Sequence, residues 1–218
     1  MDSSRILRYS VSACLCAGLV LLFGCTKTEV TWEQRTLEDI EDVRNGTQSS
    51  IFGPHVGAVV AAANDDRFIN NLRELVIVGD ASRYLPLIKK NRKLEKVVLG
   101  STKNTQTFLE SLPPSVTSLV LDLSDWNCRG KNVDPDDFYH PDVVHAKFEV
   151  LAKCDSVKEL FIRPWDKRLN VSAIRMLPEM KSLEVLEIIW PTTDARIQPF
   201  QSALKAALPN CQVQVAAP

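Results

Sequence analysis

One spacing recurs along this chain and limits what it can fold into. Leu183, Leu186 and Ile188 stand in the frame apolar-x-x-apolar-x-apolar. The frame returns at Leu72/Leu75/Ile77, Leu94/Val97/Leu99, Val116/Leu119/Leu121 and Val157/Leu160/Ile162. Residues two apart share one face of a strand, and a helix-like segment precedes each copy. A unit this short cannot bury its own apolar face, whereas a stack of similar units can. The expectation is an α/β repeat architecture, with short parallel strands side by side in chain order and helices behind a common core.

The helical periods fill the gaps between frames. A helix near 55–64 (Val56, Val59, Val60, Ala63) leads to a strand at 73–78. Asp80 or Ser82 then caps a helix carrying Tyr84, Leu85 and Ile88 before strand 95–99. Phe108, Leu109 and Leu112 mark the next helix, ended by Pro113-Pro114 ahead of strand 117–122. Val144, Phe148 and Leu151 precede strand 158–162. Val171, Ile174 and Leu177, closed by Pro178, precede strand 184–189. Pro199 suits a first helical position, Phe200, Leu204 and Ala207 form a last stripe, and 211–215 alternate as a closing strand. The frames begin 22, 22, 41 and 26 residues apart, so the long step holds an insertion, about 124–142. Residues 25–50 read as a tether and one helix with Trp32, Leu37, Ile40 and Val43, stopped at Asn45-Gly46. That helix is placed to cap the open end of the stack over 51–218.

The strand frames resemble the Leu-x-x-Leu-x-Leu core of bacterial leucine-rich-repeat proteins, and Ala207-Leu-Pro-Asn-Cys211 resembles a terminal repeat. The resemblance covers roughly 66–216 and implies a solenoid: a short curved parallel sheet with helices on its convex side. Where that family often places Asn or Cys, this chain has Asp80, Thr102, Ser124, Trp165 and Pro191. No asparagine ladder is therefore expected. The competing fold, a doubly wound sheet, favours glycine-rich loops after its strands. Only 8 glycines and no Gly-x-Gly-x-x-Gly argue against it.

The first 24 residues are a different kind of segment. Arg5 and Arg8 precede an uncharged run from Val11 to Gly24. As a helix that run rises about 21 Å, short of a bilayer core of about 30 Å, which favours a cleaved signal segment. Its end, Leu22-Phe23-Gly24-Cys25, resembles the lipobox of bacterial lipoproteins. The resemblance implies acylation at Cys25, palmitate included, and attachment to the cell envelope. With Thr26 rather than Asp following, it implies the outer membrane, facing the periplasm. Cys14 and Cys16 would leave with the signal, and Cys128, Cys154 and Cys211 remain, an odd number. Cys128 and Cys154 can bridge in an oxidising compartment, or the thiols can sit as small buried hydrophobes.

Candidate chemistry follows from the strand frame. Residues between the inward positions face the open, concave side, and the middle column reads Val76, Val98, Val120, Phe161 and Glu187, with Arg163 beside it. An apolar column on a wet surface suits a protein partner, although valine also favours parallel strands whether or not anything binds. Trp126, Trp165 and Trp190 each follow a strand, either lining one rim as interface anchors or lying as lids on their own units. The insertion carries Asp134, Asp136, Asp137, His140 and Asp142, with His145 beyond it, ligand types for a divalent metal, but in no known metal-loop spacing. The cluster Lys89, Lys90, Arg92, Lys93, Lys96 reads as a solvated helix end. A net charge of −1 and the export signal point away from nucleic acid. No nucleophile elbow, zinc-protease motif or phosphate loop occurs. The expected function is thus a non-catalytic, cofactor-free, membrane-anchored protein-binding module. The alternatives are a metal-dependent hydrolase built on the insertion, or a self-associating envelope component.

Overall fold

The computed structural model describes residues 31–52, 55–103, 105–122, 148–163, 170–190 and 193–217. The chain divides into Met1–Thr31 and a compact unit, Trp32–Pro218, to which all described elements belong. That unit is α/β. Among the described residues seven strands occur, β1 (Ser50–Phe52), β2 (Glu74–Asp80), β3 (Lys96–Lys103), β4 (Ser118–Asp122), β5 (Glu159–Arg163), β6 (Val185–Ile189) and β7 (Gln212–Ala216). They form one sheet in the order β1-β2-β3-β4-β5-β6-β7, every neighbouring pair parallel. The sheet is open, with β1 and β7 at its edges.

Register follows the frame. Leu75, Val97, Leu119, Leu160, Leu186 and Val213 align across the sheet, and so do Ile77, Leu99, Leu121 and Ile162. All are buried in one core shared with the helices. Slipping any strand by one residue would put its apolar set into water, which is why the 41-residue step keeps the register of the 22-residue ones. Hydrogen bonds repeat with the frame as well. The Arg73 and Glu74 amides both donate to the Ser49 carbonyl, those of Glu95 and Lys96 to Arg73, and those of Thr117 and Ser118 to Glu95. Lys158 and Glu159 repeat this on Thr117, and Glu184 and Val185 on Lys158.

Helix α1 (Trp32–Asn45) buries Thr36, Ile40 and Val43 and ends at Gly46, whose φ of +73° a side chain would resist. Trp32 and Leu37, expected on its apolar face, are exposed. Asn71 fixes the helix end by donating to the carbonyls of Val43 (3.0 Å) and Arg44 (3.3 Å). The expected helix near 55–64 is α2 (Val56–Ala62), and an unexpected helix, α3 (Asp66–Asn71), follows it, capped by the Asp65 carboxylate on the amides of Arg67 and Phe68. After β2, Asp80 supplies the cap, accepting from the Ser82 amide at 3.0 Å, and a 3₁₀ turn runs into α4 (Leu85–Lys90). Helix α5 (Thr105–Leu109) precedes β4, and residues 148–152 are helical before β5.

In α6 (Asn170–Met176) the buried side is Ala173 and the following Leu177, whereas Val171, expected inside, is 77% exposed. Helix α7 (Ile197–Ala207) buries Phe200 and Leu204. Its Pro199 is the third helical residue, tolerated because the amides of a first turn have no intrahelical acceptor. Side chains ahead of the strands brace the turns. Buried Asn91 donates to the Leu72 carbonyl (3.1 Å) and accepts from the Lys93 amide, and Ser182 donates to the Val157 carbonyl (3.0 Å). Among the described residues no helix is long and apolar enough to cross a membrane.

Candidate functional site

Alternation along the strands gives the sheet an outer face independent of the core. Register pairing assembles its middle row as Phe52, Val76, Val98, Val120, Phe161, Glu187 and Gln214, one residue per strand. The first five are apolar. With strands about 4.8 Å apart, they make a band roughly 19 Å long and one side chain wide. On the N-terminal side of this row, Glu74 and Lys96 form an ion pair across β2 and β3 at 3.0 Å. On the other side Val78 and Gly100 are neighbours, and Asp122 aligns with Arg163. Glu187 ends the band half-buried. Loss of hydration raises its carboxyl pKa above the ordinary 4.5, and the Arg163 charge offsets part of that rise.

The row brings together every strand residue expected in it, but not on equal terms. Val120, at the centre, is only 8% exposed although it lies outside the core cluster, so the open part of the row is made by its neighbours. Trp190 is a correction. It is 3% exposed, with its ring centroid 5.7 Å from that of Phe200 beneath α7. Leu186, Ile188 and Trp190 are two residues apart, so the alternation that buries the first two carries the tryptophan inward. Trp126 and Trp165 lie outside the described residues, as do Cys25, Cys128, His140, His145 and the rest of the insertion. Cys154 is a free, buried thiol raised to about 11 by desolvation and the nearby Asp155, and Cys211 is free and half-buried. Neither thiol has the lowered pKa of a nucleophile. Among the described residues no three His, Cys, Asp or Glu side chains gather as a metal site.

Two residues of the site were not expected from sequence. Phe52, 40% exposed, heads the apolar row from β1, and Trp32, 61% exposed, stands edge-on to it with ring centroids 6.0 Å apart. The available signal was the distance of 24 residues from Ile51 to Leu75, within the step range of the other frames. No protein-family model matches the chain, and no curated protein matches it in sequence.

Proposed function

We propose that this protein is a non-catalytic binding module of the leucine-rich-repeat solenoid type, lipid-anchored through Cys25 to the outer membrane of a bacterial envelope. It captures a protein partner on the outer, concave face of its sheet. One observation carries this reading: the in-register apolar band from Phe52 to Phe161, which the core does not use. The charges around the band are matched within the chain, Glu74 by Lys96 and Glu187 in part by Arg163. A partner therefore needs to bring an apolar ridge rather than a strong field. The solenoid reading is supported by chain-ordered strands with repeating steps and one continuous core, and the anchor by the Leu22–Cys25 motif.

The test is co-purification after mild detergent extraction, comparing the wild type with Val98→Glu/Phe161→Lys. Lysine is chosen at 161 because a glutamate there would stand beside Glu187 in the same row. The double variant should lose the captured protein and keep nearly the same Tm. Unchanged capture would show that this face is not the binding surface.

A further inference from the structure

We propose that the cluster of Trp32, Phe52 and Arg35 is a lipid-contact surface that seats the domain, β1 edge down, on a zwitterionic membrane surface. This rests on the reading of Cys25 as the lipidated residue. Trp32 is the most exposed large aromatic residue among those described, and Phe52, against which it stacks edge-on, is the next. The Arg35 guanidinium lies 5.6 Å from the Trp32 ring centroid. An indole with an apolar body and a polar N–H, beside a cation on a long stem, suits the boundary between headgroups and acyl chains.

Reach makes the assignment geometric. Seven peptide steps separate Cys25 from Trp32, and a fully extended chain covers at most about 25 Å in that distance. A patch of two aromatic rings is too small to hold a protein on a membrane alone. A tether this short supplies a high effective concentration, so a weak surface contact becomes populated. Charge selects the lipid. Helix α1 carries Glu33, Glu38, Asp39, Glu41 and Asp42 against Arg35 and Arg44, so an anionic surface would repel it. The domain would then stand with its repeats rising from the membrane and the apolar band starting at the headgroups.

The experiment uses the mature protein, extracted in detergent after expression from the full-length gene. It is reconstituted into phosphatidylcholine vesicles with or without acyl chains brominated near the headgroup. Subtracting the emission of Trp32→Phe from that of the wild type isolates Trp32. The expected result is a Trp32 emission quenched by the brominated lipid. The quenching should be lost in part in Phe52→Ser and weakened when phosphatidylglycerol replaces half the phosphatidylcholine. Equal Trp32 emission in brominated and plain vesicles, from protein whose mass shows acylation at Cys25, overturns the contact and leaves the anchor standing. An unacylated mass, with membrane recovery unchanged in Cys25→Ser, removes the anchor and this proposal together. Stronger quenching on phosphatidylglycerol overturns the zwitterionic assignment. Absence of quenching, with Trp32→Ser abolishing capture of a partner that also needs Phe161, overturns the proposal by assigning the cluster to the protein-binding band.

Discussion

The two faces of the sheet are made of alternate residues from the same strands, and they are held to different standards. Inside, Leu75, Val97, Leu119, Leu160 and Leu186 are fully buried and each is held by the neighbouring units. Outside, Val76, Val98 and Phe161 line up just as regularly but remain partly in water. Packing explains the first row because every lost methylene leaves a cavity. It does not require the second, where a threonine or lysine would satisfy the backbone equally well. A regular apolar row with no core to fill is the feature on which the proposed contact surface rests, against valine's general preference for parallel strands.

Adjacent residues break or confirm that distinction most directly. Leu160→Ala removes an inward side chain and should cost about 2–5 kcal/mol, read as a clear fall in the urea midpoint at unchanged slope. The outward neighbour Phe161→Ser should cost far less, about 1 kcal/mol or under. If the two losses were similar, the outer row would belong to the fold and the binding surface would have to be sought elsewhere.

Next in size is the brace between turns. Asn91→Ala leaves the Lys93 amide without its side-chain acceptor and the Leu72 carbonyl with only the 3.3 Å bond from the Arg73 guanidinium, a loss of about 1–3 kcal/mol. A loss confined to hydrogen-exchange protection of β2 and β3 would show that each unit is held locally. Uniform loss over all seven strands would show that the stack melts as one. Smaller again, Val98→Thr should stay within about 1 kcal/mol in stability and still weaken partner capture, because the hydroxyl must be desolvated under any apolar ridge.

The inner face was legible in the sequence and much of the outer detail was not, for physical reasons. Frames of three large apolar residues override local ambiguity, so six of the seven strands and their order follow from spacing alone. β1 escaped because Ser50-Ile51-Phe52 presents a single inward residue, too little for a frame. α3 escaped because its cap, Asp65, opens a helix of only six residues. Position after β6 leaves Trp190 open between a rim anchor and a lid on its own unit, whereas parity with Leu186 and Ile188 puts it inside. The Asn91 brace was hidden because its partner, Leu72, is 19 residues away. Spacing reveals which side of a strand a residue takes, but not which distant carbonyl an amide will find.

The finest test concerns the carboxylate that closes the band. Desolvation raises the Glu187 pKa in the folded protein, with Arg163 opposing the rise, so the folded state holds that proton more readily than the unfolded chain does. Between the ordinary 4.5 and the raised value, this group makes stability fall as pH rises, and above that window the penalty is constant. Glu187→Gln removes the titration. Its Tm should exceed that of the wild type slightly at pH 7, and the difference should close as pH drops through the window toward 4. A difference independent of pH would mean that Arg163 fully compensates the charge. A lower Tm for the variant at pH 7 would mean that the pair stabilises the fold. In either of those cases the band ends in a satisfied ion pair. With the predicted sign, its end is under-solvated even before a partner arrives, and a ligand donating to Glu187 would relieve that strain as it binds.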